Sequence, residues 1–424
     1  MLSFKKQLSF YKAGFPKNYR HLLTRRKAKL KLFFGPRVKI IGVVGSYGKT
    51  TTAQVIYKML QLDSPTLSTH LSLDTIYNLP LTILKLKAKH HYLVLEMGID
   101  HRREMDFHLS LATPDILIFT GITAVHAEKE LLGSFSGIKE EKGKAVDAVI
   151  KKGGWVIANA DDRHVRQTMK ERGVEKIIWY GIKSNLALVR AEDIKIDHKG
   201  TSFKIITSQH SLKIKGRFWG EGWIAAFLAA ASLSEVLKTP IKNLAKAAQK
   251  IRALPGRLSL EKGPRGSLLL DDHLRSNPAS LSLGLKTLGS LKVNKGGRKI
   301  VILGEMGELG KYAKVEHQKI GQLLASYQFD QVIGIGSLLK ETAKKTDLVW
   351  AKDILEAAGI LEKLKPNSAD IIYLKGSLLK HMERLLLYFQ GKKIGCRVLS
   401  CHLYHPCPEC PYLKTGYSRS NIGN

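Results

Sequence analysis

A chain of 424 residues is long for one domain, so two domains of ordinary size plus tails are expected. Its 44% hydrophobic and 25% charged content is that of a soluble globular protein, and its longest nearly apolar stretch, about Trp223–Leu233, is too short to span a membrane. The net charge of +33, from 69 basic and 36 acidic residues, attracts anionic partners but fixes neither fold nor chemistry.

Residues 1–37 are basic, with Phe4, Phe10, Tyr11, Phe15, Leu30, Phe33 and Phe34 between the cations. Two readings stand: an amphipathic helix on a membrane surface or other polyanion, or a basic helix covering the first sheet edge. No apolar leader with a small-residue cleavage site follows Met1, so a cytoplasmic location is expected.

From Val38 the pattern is α/β. Val38–Val44 is an apolar run ending in glycines, as a buried parallel strand would be, and Thr51–Leu60 reads as the following helix. His91–Glu96, Asp115–Thr120 and Trp155–Asn159 read as further buried strands. Alternation with helices predicts a parallel sheet covered on both faces. Leu186–Lys215 alternates polar and apolar residues as antiparallel strands do, and Gly222–Leu237 is an alanine-rich helix. Pro255-Gly256-Arg257 breaks the chain, which places a domain boundary near Ala253. Beyond it Ser267–Leu270, Lys299–Leu303, Gln331–Ile335 and Asp370–Leu374 alternate with helices, predicting a smaller Rossmann-like α/β domain. The expected organisation is a basic segment at 1–37, a larger α/β domain at 38–253, a second domain at 254–390 and a Cys-rich tail at 391–424.

Gly42-Val43-Val44-Gly45-Ser46-Tyr47-Gly48-Lys49-Thr50 is a variant phosphate loop at a strand-to-helix turn. Glycines let backbone N–H groups close on phosphate oxygens at a helix N-terminus. Gly45, Ser46, Gly48, Lys49, Thr50 and Thr51 are therefore candidate nucleotide contacts, with Lys49 reaching the terminal phosphates and the Thr50 hydroxyl a ligand for Mg²⁺. Glu96, at the end of a buried strand, is a candidate second Mg²⁺ ligand. In isolation it is equally an exposed strand-end acid.

The order of these and later segments resembles the Mur ligases. Gly42–Thr52 is similar to their phosphate loop, and Glu96-Met97-Gly98 to their E-M-G metal motif. His126 with Gly133-Ser134, Lys142-Gly143, Asn159-Ala160-Asp161-Asp162, Pro255-Gly256-Arg257, Asp271-Asp272, Asn277-Pro278, Leu303-Gly304-Glu305-Met306 and Lys375-Gly376-Ser377 follow in family order. The resemblance implies an ATP-dependent ligase that activates a carboxylate as an acyl phosphate and joins it to an amine. It further implies a second Mg²⁺ held by His126 and a carbamate on Lys142, and catalytic roles for Lys49, His126, Lys142 and Arg257. Asn159, Arg257, Asp272 and Lys375 would complete the nucleotide site, Asp272 on the ribose. The E-M-G and K-G-S segments resemble the branch that adds D-alanyl-D-alanine to a muramyl peptide in peptidoglycan precursor synthesis. The implied partners are an anionic muramyl-peptide-like molecule and an amine or dipeptide, and a monomer is expected.

Read alone, His126 is a surface histidine, Lys142 part of a solvated helix face and Asp271-Asp272 a strand-end turn. The sequence also departs from the family. Only 41 residues precede Gly42, too few for the family's uridine-nucleotide domain. Phe218-Trp219-Gly220 stands where the family has His and Asn, leaving Trp219 as an adenine platform or a core residue. Leu274 replaces an aromatic beside the base, Arg275 offers a charge there, and Gly121 replaces an asparagine. The alternatives are a ligase making another amide and a catalytically weak nucleotide-binding scaffold with a polyanion partner.

Cys396, Cys401, Cys407 and Cys410 lie in the last 30 residues, with His402 and His405 among them. The Cys407-Pro408-Glu409-Cys410 knuckle suggests a structural Zn²⁺ held by these cysteines, His405 being an alternative to Cys396. An unstructured tail of reduced thiols is the other reading.

Overall fold

The structure is a computed structural model that describes residues 19–69, 75–125, 127–128, 131–401 and 407–416. The chain divides into two compact units: residues up to 195 with 202–216 and 222–251, and the remainder.

The first unit is built on a sheet of order β2-β3-β1-β4-β5-β6-β7-β8-β9. Its strands are β1 (Lys39–Val44), β2 (Thr66–Ser68), β3 (Tyr92–Glu96), β4 (Ile116–Phe119), β5 (Trp155–Asn159), β6 (Ile177–Gly181), β7 (Val189–Asp197), β8 (Gly200–Ile206) and β9 (Ser211–Gly216). Strands β1 to β7 pair in parallel. The runs expected to be buried are so: Ile41, Val43 and Val44 of β1 and all of β4 are inaccessible or nearly so. Two strands of this sheet carry no such signal. β2 has three residues, and β6 leaves its first three half buried, so neither presents a long apolar run.

Register decides what meets at the sheet's carboxyl edge. Val43 lies opposite Glu96, and Val44 opposite Phe119. The loops after β1, β3 and β4 therefore emerge side by side, in the crevice where open α/β sheets place ligands.

Helix α1 (Tyr19–Phe34) packs on α3 (Thr75–Leu84) and α4 (Glu104–Leu111). It is seated on helices rather than covering a sheet edge, because its inward residues His21 and Arg25 find acceptors there: His21 Nε2 lies 3.0 Å from the Ile76 carbonyl, and Arg25 donates to Ser110 Oγ at 2.6 Å. Residues 1–18 of the basic segment lie outside the described residues.

The second unit carries a six-stranded sheet of order β10-β11-β15-β12-β13-β14. The strands are β10 (Ser259–Lys262), β11 (Leu268–Asp272), β12 (Lys299–Gly304), β13 (Gln331–Ile335), β14 (Val349–Ala351) and β15 (Ile371–Lys375). All pairs but β10–β11 are parallel. One apolar cluster, around Leu285, Val301 and Tyr373, covers one face; another, around Ile302, Ala357 and Leu374, covers the other.

The tail after Gly391 lacks periodicity yet is anchored. Ile394, Cys407 and Leu413 pack with Leu387 of the last helix, α13 (Glu383–Phe389). The buried Arg384 guanidinium donates to the carbonyls of Cys396 at 3.0 Å and Val398 at 2.7 Å.

Candidate active site

The phosphate loop is shaped by steric limits. Gly45 has φ +148°, and a Cβ there would fall 2.0 Å from Thr120 Oγ1, so only glycine fits. Thr120 closes the floor by donating to the carbonyls of Tyr47, at 2.5 Å, and Val44, at 3.1 Å. Ser46 Oγ accepts from the Thr123 amide at 3.1 Å. Gly48, left-handed at φ 75°, starts helix α2 (Lys49–Leu60) with no side-chain cap. The first amides of α2, around Lys49, Thr50 and Thr51, thus remain directed at the crevice, a site for an anion. Lys49 Nζ donates to the Gly45 carbonyl at 2.9 Å, which folds the ammonium back over the loop.

Thr50 Oγ1 donates to Glu96 Oε1 at 3.1 Å. A hydroxyl and a carboxylate so placed are hard oxygen donors that suit Mg²⁺. Asn159 sits one strand further on, its Nδ2 donating to the Thr120 carbonyl at 2.9 Å. Asp162 ties the region together, accepting from Tyr47 OH and the Ile122 amide, each at 2.9 Å.

Lys142 lies on helix α5 (Phe135–Lys151) and is 1% exposed. Burial and the nearby charge of Lys49 lower its pKa from 10.5 to about 7, against the opposing pull of Glu104, Asp100 and Glu141. Three acidic and histidine residues nearby form a donor group: ligand atoms of Asp100, His101 and Glu104 lie within 4.8 Å of one another. Glu104 is 1% exposed and accepts from the amides of Asp100 at 2.9 Å and His101 at 3.1 Å. Burial and the Asp100 charge still push its carboxyl well up. His126 lies outside the described residues.

In the second unit, the register sets Asp272 opposite Lys375. The two form an ion pair in which Lys375 is buried and Asp272 partly so, and Tyr373 OH adds a bond to Asp272 Oδ2 at 3.2 Å. Burial pushes Asp272 up and Lys375 down, the pairing opposes both, and the charge of Arg257 lowers Lys375 further. Lys375 also donates to the Arg275 carbonyl at 2.9 Å, while the Arg275 side chain is exposed.

A family model described as the Mur ligase middle domain matches residues 43–234, and one described as the Mur ligase glutamate ligase domain matches residues 256–378. The chain belongs to the Mur ligase family. Its class is accordingly that of an ATP-dependent peptide ligase. Among curated relatives, the UDP-N-acetylmuramoyl-tripeptide–D-alanyl-D-alanine ligase of Buchnera aphidicola is 29% identical over 357 residues, 82% of this chain and 76% of the relative. The Escherichia coli enzyme of that name is 25% identical over 356 residues, 83% of this chain and 77% of the relative. A crystal structure of MurF from Acinetobacter baumannii superposes with TM-score 0.79 at 25% identity, covering 88% of this chain and 81% of the other. MurF from Thermotoga maritima in complex with ADP shares the fold, with TM-score 0.75 at 23% identity and coverage of 88% and 83%.

Three sequence readings of this Mur ligase need correction or extension. Trp219 is 4% exposed in the core with Leu281 and Leu285, so it offers no face for a base to stack on. The four cysteines are thiols and do not come together as a group of metal donors among the described residues. Cys396 Sγ is instead 3.2 Å from Arg384 Nη1, and Cys407 approaches His381 and Glu383, where burial pushes its thiol up. A zinc site of Cys396, Cys401, Cys407 and Cys410 is therefore not built; His402 and His405 lie outside the described residues. The cluster of Asp100, His101 and Glu104 adds to the residues read from the sequence; its signal there is the Asp-His-x-x-Glu run that begins one residue beyond the E-M-G segment.

Proposed function

We propose that this Mur ligase joins D-alanyl-D-alanine to the terminal carboxylate of a muramoyl tripeptide, with ATP as the activating reagent, in peptidoglycan precursor synthesis. The observation that carries this is the pair of family matches over 43–234 and 256–378, joined by relatives of that name along most of the chain. In the first half-reaction a carboxylate oxygen attacks the γ-phosphorus and ADP leaves, giving an acyl phosphate. In the second, the amine nitrogen attacks the acyl carbon, phosphate departs and the amine loses a proton.

The residues are read as follows. The amides around Gly45, Ser46, Gly48 and Thr51 bind the phosphates, and Lys49 neutralises charge on the group in flight, which needs positioning and electrostatics more than covalent help. Thr50 and Glu96 would hold one Mg²⁺; Gly45, whose place no Cβ could take, and the uncapped helix start fit a nucleotide phosphate beside them. When bound, Mg²⁺ supplies Lewis-acid stabilisation of phosphoryl oxygens. Lys142 is read as a carbamate, an anionic ligand for a second Mg²⁺ together with His126. A pKa of about 7 supports this, because only the neutral amine adds CO₂. In the second unit, Arg257 and the Asp272–Lys375 pair are read as nucleotide contacts, with Asn159 supporting the loop in the first. Cytoplasmic location belongs to the same proposal; among the described residues no helix is long and apolar enough to cross a membrane.

The test is phosphate release from ATP by the purified protein, with the product mass measured. Turnover that requires both UDP-N-acetylmuramoyl-tripeptide and D-alanyl-D-alanine is expected. Turnover with a different amine or carboxylate moves the chemistry to another amide; none across a panel of such pairs refutes the ligase.

A further inference from the structure

We propose that helix α1 carries a docking surface for anionic phospholipid, which would hold the enzyme at a membrane face. The helix has two sides with different fates. His21, Leu22, Arg25 and Ala28 are buried against the body of the first unit, where the Arg25 guanidinium sits 3.5 Å from the centroid of the Phe107 ring. The outward side presents Leu23, Lys27, Leu30, Lys31, Phe33 and Phe34, all exposed. Positions 23, 27, 30, 31 and 34 follow helical spacing, so they form one stripe along the axis.

The exposure is unusual in kind. Phe33 and Phe34 are each 78% exposed and Leu30 57%. The two phenyl rings pack edge to face, with centroids 4.8 Å apart. Single exposed apolar residues are ordinary, but a contiguous aromatic and aliphatic patch marks an interaction surface. The charge along this stretch of sequence is of one sign. Residues 1–39 contain twelve Lys and Arg and no acidic residue, and the first carboxylate of the chain is Asp63.

An anionic bilayer satisfies both features at once. Its surface potential attracts the lysines, whose stems lie along apolar surface while their ammonium groups stay in water. The Leu and Phe side chains enter the boundary between headgroups and acyl chains. Nucleic acid would meet only half of this, because aliphatic Leu23 and Leu30 gain little from bases and the stripe offers no amide side chain for base edges. An apolar protein groove would leave the cations without counter-charges. The inference stands apart from the ligase reading, and its failure would leave that reading intact.

The experiment uses the full chain and co-sedimentation with vesicles of phosphatidylcholine, with and without phosphatidylglycerol. Binding is expected only with the anionic lipid, weakening as salt rises. The double variants Phe33→Ser/Phe34→Ser and Lys27→Glu/Lys31→Glu should each lower the partition coefficient about tenfold or more, with unaltered thermal melting because all four side chains face solvent. As a gain-of-signal measurement, the indole introduced by Phe33→Trp should shift its emission to the blue on adding anionic vesicles and be quenched by brominated acyl chains. No sedimentation, equal sedimentation with neutral lipid, an emission spectrum of the F33W variant that does not move, or binding to single-stranded RNA alone that ignores the Phe pair would each overturn the proposal.

Discussion

The amine of Lys142 is brought to about 7 by its burial and, beyond that, by the charge of Lys49. A candidate phosphate-binding lysine and a candidate carbamate are therefore linked before any ligand arrives. Nucleotide phosphate would screen Lys49 and relax its pressure on Lys142.

The proposed carbamylation of Lys142 should follow this titration. In CO₂-free buffer, turnover should be low and should recover on adding bicarbonate, more readily as pH rises through about 7, because the reactive neutral amine grows in that direction. Lys142→Ala should lose at least about 10- to 100-fold in metal affinity or activity, the loss that removing a partner one shell further out already causes. Isothermal titration and phosphate release measure the two. Bicarbonate dependence that persists in the alanine variant would remove Lys142 from the role.

The same amine costs stability. Its lowering from 10.5 to about 7 corresponds to roughly 5 kcal/mol of disfavoured charge burial, taken as a ceiling. Between about pH 7 and 10.5 the unfolded lysine holds a proton that the folded one has released, so stability rises with pH across that window. Below it both forms are protonated and the slope from this group vanishes. Lys142→Met should be more stable than the parent at neutral pH in CO₂-free buffer and lack the rise, as urea midpoints across pH would record.

Lys49→Ala should reduce turnover about 100- to 1000-fold, the usual loss for one preorganised electrostatic contact. Because Lys49 Nζ bonds to the Gly45 carbonyl of its own loop, folding should survive. Circular dichroism beside a phosphate-release assay separates the outcomes, and near-parental turnover would contradict the assigned site.

Gly45→Ala should abolish nucleotide binding, since the methyl group would overlap the Thr120 hydroxyl that floors the loop. Gly153→Ala is the control: it shares a positive φ, at +71°, but meets nothing within 4 Å. Nucleotide affinity by fluorescence should collapse in the first and persist in the second, with the control costing only about 1 kcal/mol of stability.

In the second unit, Asp272→Asn leaves Lys375 buried without its counter-charge and should destabilise by about 3–5 kcal/mol. Adding Lys375→Met should restore most of that loss without restoring activity. A pair of melting curves decides it, and failure of the second change to recover stability would mean the strand-end geometry depends on the charges themselves.

Much of this architecture was legible in order and type. Val38–Val44 and Trp155–Asn159 read as buried strands because both faces of a parallel sheet are covered, and the glycines of the phosphate loop announce backbone that no side chain could follow. The environment of Lys142 was not legible in the same way. In Lys139-Glu140-Glu141-Lys142-Gly143-Lys144 every side chain except the glycine is charged, and local composition describes a wet surface. Helical spacing was the better guide, since Lys142 falls in the buried stripe of Ile138, Ala145 and Val149. Trp219 shows the converse limit: a tryptophan in a motif position is equally a ligand platform or core, and only packing chooses. The tail was unreadable because Arg384, not a hydrophobic period, organises it.

Arg384 also makes the helix that carries it depend on chain that follows it. Its guanidinium is 1% exposed, and two of its carbonyl acceptors come from residues 396 and 398, which leave the ribosome later. Until they emerge, the last helix carries a cation that cannot be buried without loss of bonding. A chain cut before residue 396 should therefore dock α13 poorly, because the buried guanidinium would be short of two of its acceptors.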